Sequence, residues 1–208
     1  MTNLPNPAHL PRLILASSST YRKELLTRLQ LPFDAISPDI DETPASHESP
    51  EQTALRLAQQ KSQAIATLHP DALIIGSDQV ATLDGEQIGK PGNHDNALKQ
   101  LMKMRGRRVV FHTALCLLDN RQPLTPHYQT ENVQTFVTFR HLSESELDAY
   151  LRIEQPYDCA GSAKNEGLGI AILEKIESTD PTALTGLPMI ALTSMLRQAG
   201  MPFFGTSS

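Results

Sequence analysis

Short apolar runs alternate along the chain with longer segments whose apolar residues recur at every third or fourth position. Runs of the first kind predict buried strands, at 13–16, 33–37, 72–83, 107–118, 131–140 and 169–176. The periodic segments predict helices, at 20–29, 49–68, 93–104, 143–152 and 188–199. Gly76, Ser77 and Asp78 interrupt the apolar residues of the third run, so we expect Asp78 to emerge where a strand ends.

Polar residues at the boundaries of these segments support the predicted elements. Ser49 with Gln52 and Ser143 with Glu146 have the spacing of capping boxes, which start helices,. An Asp-Gly pair at 84–85 has the composition of a tight hairpin turn,. Strands alternate with helices, but the hairpin and the two long middle strands are antiparallel in character. The pattern therefore predicts an α/β fold on a mixed sheet.

Length and charge limit the fold and the partners. A chain of 208 residues with a net charge of -5 is long enough for one well-buried domain,. We expect a single domain, with a folded core at 12–200 between tails at 1–11 and 201–208. Two distant cysteines and the lack of a signal-peptide pattern or a long apolar segment predict a cytoplasmic protein with no membrane partner,. No basic tract is long enough to follow a nucleic-acid polymer, so the basic side chains are expected to bind a small anion.

Three serines and two cations follow the first predicted strand. Ser17, Ser18 and Ser19 precede Arg22 and Lys23 at the start of the first helix. The free N–H groups of a helix start attract anions, and hydroxyls and cations add to that attraction. Cations alone oppose the helix dipole at this end, a conflict that a bound polyphosphate would remove. The alternative is a serine-rich cap whose cations are simply solvated.

Acidic residues occur at two other places. Asp78 follows an apolar run and a glycine that permits close approach, which suits a catalytic or metal-binding carboxylate,. Asp39, Asp41 and Glu42 crowd into the segment DIDET, and oxygen-rich clusters of this kind suit Mg²⁺ or Mn²⁺,. The respective alternatives are a turn aspartate and a solvated acidic loop.

Two lysines complete the candidate chemistry. Lys61 lies within the second predicted helix and Lys90 within the rigid segment GKPG, although ordinary surface lysines would explain both. Metal-assisted phosphoryl chemistry depends mainly on charge neutralisation and positioning, and it needs hydroxyls, cations and acids in one site. Groups of all three kinds occur here at predicted strand ends and helix starts. The combination predicts a site for a small phosphorylated molecule.

Seven segments in order resemble the Maf family of nucleoside triphosphate pyrophosphatases: LILASSSTYRKELL, DIDET, RLAQQKSQA, IIGSDQV, GKP, CAGSAKNEGLGI and GLPMIAL. The resemblance implies a two-lobed Maf/ITPase-like α/β fold with a mixed twisted sheet and a central cleft. It also implies a divalent metal cofactor, Mg²⁺ or Mn²⁺, and a homodimer. The implied reaction cuts a nucleoside triphosphate between its α and β phosphates, releasing a nucleoside monophosphate and pyrophosphate.

The same resemblance implies roles for single residues. Asp78 matches the general base, and Asp78 with Glu42 matches the carboxylates that hold the metal. The phosphate-handling positions match Ser17, Arg22, Lys61 and Lys90, of which the two lysines are expected to be catalytic. In the implied mechanism, Asp78 takes a proton from the water that attacks the α-phosphorus, and the cations neutralise the leaving pyrophosphate.

Three further positions, Tyr21, Gln79 and Glu166, match those at which substrate groups within the family differ. They depart from the group that hydrolyses dTTP and UTP and resemble the group that acts on 7-methyl-GTP, although that group often carries Trp in place of Tyr21. An aromatic face attracts the flat cation that methylation makes of guanine. A carboxylate accepts two N–H groups from the guanine edge.

The sequence thus predicts a pyrophosphatase that hydrolyses 7-methyl-GTP to 7-methyl-GMP and pyrophosphate. One alternative is a pyrophosphatase for dTTP and UTP, which the three specificity positions disfavour. A second alternative is a nucleotide-binding regulator of cell division that needs no turnover. The general base, the acid and the lysines together favour an enzyme, because a sensor needs no group that activates water.

Overall fold

A computed structural model of the protein describes residues 10–204, so residues 1–9 of the first predicted tail and residues 205–208 of the second lie outside the described residues. Within that range seven strands form one sheet: β1 (Arg12–Ala16), β2 (Asp34–Ile36), β3 (Ala72–Leu83), β4 (Glu86–Ile88), β5 (Arg108–Asp119), β6 (His127–Phe139) and β7 (Leu173–Ser178). Five α-helices accompany them in the same range: α1 (Thr20–Thr27), α2 (Pro50–Ala66), α3 (His94–Met104), α4 (Glu144–Glu154) and α5 (Met189–Gln198).

The sheet is mixed, as predicted. Its strand order is β2-β1-β3-β5-β6-β7, and β4 pairs with β3. β1 runs parallel to β2 and β3, whereas the other pairs are antiparallel. The predicted α/β class is therefore confirmed.

Both predicted capping boxes are confirmed. Gln52 N–H donates to Ser49 Oγ at 3.2 Å, while Ser49 N–H donates to Gln52 Oε1 at 2.8 Å. Ser143 and Glu146 make the same pair of bonds at the start of α4. Each box satisfies N–H groups that a helix start leaves free, so the sequence spacing fixes where α2 and α4 begin.

The interruption that we predicted within the third apolar run is wrong. β3 continues without a break through Gly76, Ser77 and Asp78, because β5 pairs with it residue by residue from Leu73 to Thr82. Asp78 consequently lies in the middle of a strand and not at its end. A local reading of polar residues missed the long-range pairing that keeps this segment extended.

The other edge of β3 is open over part of its length. β1 pairs with β3 up to Ile75, and β4 pairs with the same edge from Ala81 onward. Between these strands, residues 76–80 have no strand partner on that edge within the described part of the chain. A gap therefore opens in the sheet beside the middle of β3.

The last predicted strand begins later than expected. Residues Leu168–Ile172 form a 3₁₀ helix, and β7 starts only at Leu173. A Cβ at Gly169 would lie 2.4 Å from Lys164 O, and Gly169 N–H donates to the same carbonyl oxygen at 3.0 Å. This tight turn, which needs glycine, prevents an extended conformation at 169.

Of four hydrophobic clusters among the described residues, the two larger cores mark the two lobes of the fold, and the two smaller ones pack α2 on the sheet. One core gathers apolar side chains from β1, α1, α5 and the parts of β3 and β5 beside β1. The other gathers those of α3, α4 and the opposite parts of β3 and β5. Because β3 and β5 belong to both, the gap in the sheet lies between the lobes.

Met201 and Phe203 pack in the first core, with relative exposures of 3% and 9%. Side chains after residue 200, where we predicted a tail, therefore contribute to the packing of the first lobe. From 10 to 204, no helix has both the length and the apolar composition needed to cross a bilayer.

Candidate active site

A cavity of about 560 Å³ lies beside the open edge of β3, between the two lobes. It is lined by all nine side chains to which the family resemblance gave roles: Ser17, Tyr21, Arg22, Glu42, Lys61, Asp78, Gln79, Lys90 and Glu166. Its lining does not include Lys23, Asp39 or Asp41, which the residue pattern also suggested. Asp78 and Gln79 are neighbours in a strand, where successive side chains point to opposite faces. Both reach the cavity because the edge between those two faces is open.

The segment after β1 forms one end of the cavity. Ser17 Oγ accepts hydrogen bonds from Ser19 N–H at 3.2 Å and from the Arg22 guanidinium at 3.4 Å. Ser19 caps α1 by accepting the N–H of Arg22 at 3.4 Å. No acid lies in the first turn of α1, so no carboxylate of that turn neutralises the hydroxyls, N–H groups and cation that line the cavity here. This arrangement suits an anion.

Arg22 is fixed by a loop far away in sequence. Its Nε donates to the carbonyl oxygen of Gly186 at 2.8 Å. Burial lowers the pKa of Arg22, and the nearby carboxylates of Asp78 and Glu42 partly oppose that shift. A guanidinium keeps its charge even so, and a partly dehydrated cation attracts a phosphate more strongly than a solvated one.

Lys61 joins two carboxylates at the centre of the cavity wall. Its Nζ lies 2.6 Å from Asp78 Oδ1 and 2.8 Å from Glu42 Oε1. Lys61 and Asp78 are only 6% and 7% exposed, whereas the Glu42 side chain is 58% exposed. The ammonium therefore links a buried acid on β3 to a more exposed acid on the loop before α2.

The electrostatics of Glu42 show that several cations face it. Burial on its own would raise its pKa. The hydrogen bond from Lys61 and the charges of Lys61, Lys90 and Arg22 outweigh burial, so the pKa of Glu42 lies below its ordinary value. Lys90, from the loop after β4, thus belongs to the same charged group as residues from α1 and α2.

Gly76 allows Lys61 to reach Asp78. A Cβ at this position would lie 2.0 Å from the carbonyl oxygen of Ala58 and 3.0 Å from Ser62 N. The backbone of α2 therefore lies directly against that of β3, one turn from Lys61. Glycine is required here because any larger residue would separate the helix from the strand.

A salt bridge holds the loop that carries Glu42. Arg56 donates to Glu48 Oε1 at 2.6 Å and to Glu48 Oε2 at 2.8 Å, and its second terminal nitrogen also donates to Thr43 O at 3.1 Å. Hydrogen bonding from Arg56 lowers the pKa of Glu48 to about 2, so this carboxylate is ionised throughout the neutral range. Arg56 thereby ties the residue next to Glu42 to helix α2.

The far end of the cavity carries an aromatic ring among acids. Burial, with the nearby Cys159 and Asp158, raises the pKa of Tyr21 to about 12, so its hydroxyl stays protonated. Lys164 Nζ lies 6.0 Å from the Tyr21 ring centroid and is held by Glu154 Oε1 at 3.1 Å. This end offers a π face, and its charges are mostly negative.

Glu166 is the acid that the sequence predicts to bind the nucleobase. Burial raises its pKa above the ordinary value of 4.5, the carboxylates of Glu154 and Glu24 add to the effect, and Lys164 opposes it. The carboxylate accepts hydrogen bonds best when it is ionised.

Gln79 is held by the opposite wall. Its Nε2 lies 2.9 Å from Thr113 Oγ1 and 3.1 Å from each of the carbonyl oxygens of Ala183 and Leu184. Thr113, directly across from Gln79 on β5, donates its own hydroxyl to Ala183 O at 2.9 Å. Gln79 is therefore one member of a small network that joins β3, β5 and the 180–188 loop.

The 180–188 loop is the part of the site that the sequence did not reveal. Its carbonyl oxygens hold Arg22 through Gly186 and Gln79 through Ala183 and Leu184. Asp180, 2% exposed, anchors the loop by accepting N–H groups at the start of α5. Main-chain acceptors leave no pattern in the sequence. Thr113 could have been found from the sequence by aligning the two strands β3 and β5, because it lies directly opposite Gln79.

Glu42 and Asp78 are the residues suited to hold a divalent cation. Each gives one oxygen to Lys61, and among residues 10–204 no hydrogen bond reaches the other oxygen of either carboxylate. Mg²⁺ usually takes one or two carboxylates and completes its shell with water and substrate phosphates. The pair fits that requirement, although the described chain contains no group of three or more His, Cys, Asp or Glu placed to hold a metal ion.

Three comparisons place these observations beside known proteins. The family model described as Maf-like protein matches residues 12–199. A protein named 7-methyl-GTP pyrophosphatase from Cupriavidus pinatubonensis is 66% identical over 204 residues, 98% of this chain and 99% of that protein. A relative of the same name from Ralstonia nicotianae is 66% identical over 93% of this chain and 98% of its own. A solved HAM1 protein from Coxiella burnetii covers 91% of this chain and 100% of its own, with 14% sequence identity and a TM-score of 0.49.

Proposed function

The chain belongs to the Maf family, and from that premise we propose that it hydrolyses 7-methyl-GTP to 7-methyl-GMP and pyrophosphate. Relatives that are 66% identical over nearly the whole chain carry the name of that activity. The observation in the structure that supports it most is the convergence of the nine expected side chains on one cavity. A cavity of about 560 Å³ lies within the size range of small-molecule sites,.

The two ends of the cavity suit the two ends of such a substrate. Arg22, Lys90 and the N-terminus of α1 form a cationic end for the triphosphate. Tyr21 and Glu166 form the other end, where an aromatic face attracts a flat cationic base and a carboxylate accepts its N–H groups,. Methylation at N7 gives guanine the positive charge that this end favours.

The chain's own residues supply the steps of the proposed hydrolysis. Asp78 accepts a proton from a water molecule as the water oxygen forms a bond to the α-phosphorus. The bond from the α-phosphorus to the bridging oxygen breaks, and its electron pair leaves with pyrophosphate. Arg22, Lys61 and Lys90, which line the cavity, neutralise the charge that grows on that leaving group in the proposed reaction,.

Glu42 and Asp78 would hold the divalent cation, which we propose to be Mg²⁺ or Mn²⁺. When bound, such a cation draws negative charge from the phosphate oxygens and orients them. Lys61 contacts both carboxylates, at 2.6 and 2.8 Å, and each of them keeps one oxygen that no hydrogen bond reaches among the described residues. A homodimer and a cytoplasmic location stay predictions from the sequence, and light scattering of the purified protein tests the first.

A panel of 7-methyl-GTP, GTP, dTTP, UTP and ITP with Mg²⁺ and pyrophosphate detection tests the proposal. We expect the highest kcat/KM for 7-methyl-GTP. A higher value for dTTP or UTP would favour the pyrimidine alternative instead. Asp78→Asn should lower turnover roughly 10²-fold or more, whereas Asp119→Asn, on the neighbouring strand and outside the cavity, should not.

Measurements of nucleotide binding by Asp78→Asn and by the wild-type protein distinguish an enzyme from a regulator of cell division. An enzyme whose base is lost should still bind the triphosphate, because Arg22 and the lysines are unchanged. If the wild-type protein binds 7-methyl-GTP but releases no pyrophosphate from any nucleotide of the panel, the catalytic proposal is wrong.

A further inference from the structure

The side-chain amide of Gln79 is enclosed by oxygen atoms on the wall side. Its Nε2 has three of them within 3.1 Å, one from the Thr113 hydroxyl and two from main-chain carbonyls at 183 and 184. An amide nitrogen carries two hydrogens, and a carbonyl oxygen can only accept. A reversed amide would place its oxygen against these acceptors, so the structure permits one orientation of Gln79.

Thr113 can only accept a hydrogen bond from Gln79, because its own hydroxyl proton is already donated to another acceptor. The residue is fully buried, and its hydroxyl donates to Ala183 O at 2.9 Å. The Oγ1 lone pairs therefore remain for Gln79, whose 2.9 Å contact with Thr113 is the shortest of the three. As cross-strand partners in β3 and β5, the two side chains lie on the same face of the sheet,.

We propose that Thr113 is a positioning residue for base selection, because it holds both the Gln79 amide and the Ala183 carbonyl and so keeps the Gln79 amide oxygen turned toward the cavity. This inference rests on the proposed function. Gln79 lines the cavity, its amino group is turned to the wall, and the described residues give no donor to its oxygen. The cavity wall then presents two acceptors, the Gln79 oxygen and the Glu166 carboxylate.

Two acceptors select bases by the pattern of donors on their edges. Guanine presents two adjacent N–H donors, at N1 and the 2-amino group, on its pairing edge. Uracil and thymine present one N–H between two carbonyl oxygens, so a second acceptor in the pocket would face an oxygen. Unpaired polar contacts of this kind discriminate strongly between substrates. Thr113 would thus act on specificity without touching the substrate.

The test compares kcat/KM for 7-methyl-GTP with that for UTP in four variants. Thr113→Val removes the hydroxyl and keeps the shape, and Thr113→Ala removes it and leaves space. Thr113→Ser keeps the hydroxyl. Thr82→Val is the matched control, because Thr82 is a buried threonine on β3 whose hydroxyl donates to Val110 O at 3.3 Å outside the cavity.

We expect the ratio to fall roughly tenfold in Thr113→Val and Thr113→Ala, about the effect of one hydrogen bond. It should stay within about threefold of wild type in Thr113→Ser and in Thr82→Val. If a folded Thr113→Val or Thr113→Ala protein keeps the wild-type ratio, the inference is overturned. A Thr113→Ser protein that loses as much as Thr113→Ala would also overturn it, because shape and not the hydroxyl would then matter.

The wild-type enzyme separates this inference from the function on which it rests. Failure of the wild type to prefer 7-methyl-GTP over UTP would remove the proposed substrate. A wild-type preference that survives loss of the Thr113 hydroxyl would remove only the role of Thr113. A purely structural role would lower turnover of both substrates in proportion and would leave their ratio unchanged.

Discussion

Replacing Gly76 by alanine tests whether the close approach of α2 to β3 sets the catalytic geometry. The added Cβ would lie 2.0 Å from Ala58 O, a main-chain atom that cannot rotate away. Restoring an ordinary contact of 3.4 Å requires the helix and the strand to separate by about 1.4 Å,. Lys61, one turn further along α2, would move with the helix.

The expected effect on the site follows from the same distances. A separation of about 1.4 Å would lengthen the 2.6 Å contact between Lys61 and Asp78 to as much as about 4 Å, beyond hydrogen bonding,. Displacements of about 1 Å at reacting groups cost on the order of 10²-fold in rate. The overpacking itself should lower the free energy of unfolding by about 1 to 3 kcal/mol.

The assay measures kcat for 7-methyl-GTP and the urea midpoint of Gly76→Ala beside Ile172→Val. Ile172 belongs to the second core and does not line the cavity, and Ile→Val changes cost about 0.5 to 1.5 kcal/mol,. We expect Ile172→Val to lose stability with little loss of kcat and Gly76→Ala to lose about 10²-fold in kcat. A Gly76→Ala protein within threefold of wild-type kcat would refute the argument from helix position.

Three other expectations concern charged side chains in and around the site. Because burial raises the pKa of Glu166, this carboxylate should become protonated at a higher pH than an ordinary glutamate. The ratio of kcat/KM for 7-methyl-GTP to that for UTP should therefore fall as the pH is lowered, and Glu166→Gln should abolish this dependence. Arg56→Met should free the loop that carries Glu42 and raise KM for the triphosphate about threefold to fivefold, with kcat changed less,. Asp180→Ala should lower the free energy of unfolding, measured in urea, by about 2 kcal/mol through loss of the α5 cap, and Asp180→Asn should lower it less,.

Local patterns predicted the elements of this fold better than their pairing. Capping boxes fixed the starts of α2 and α4 because those bonds lie within four residues. Asp78 was expected at a strand end, yet its strand continues because β5, more than thirty residues later, pairs along it. The tight turn at Gly169 was missed because its reason, the contact with the Lys164 backbone, is visible only in three dimensions.

The same division holds for the site. Side chains with unusual chemistry, such as Arg22 at a helix start or the acids around Glu42, were recognisable one at a time. The resemblance to a family predicted that they belong together, and the cavity is where the structure brings them. The carbonyls of the 180–188 loop that hold Arg22 and Gln79 were not predictable, because main-chain acceptors are the same in every residue.

The open edge of β3 is a potential site of aggregation, but the neighbouring strands shield it. An unpaired strand edge offers its N–H and C=O groups to any other extended chain and so promotes aggregation. Here the length without a strand partner on that edge is only the segment 76–80, about 17 Å of strand,. β1 blocks one end of it and β4 the other, inside a concave cleft. An invading strand would have to enter the cleft and fit between β1 and β4, so the position of the gap protects the unpaired edge against strand addition,.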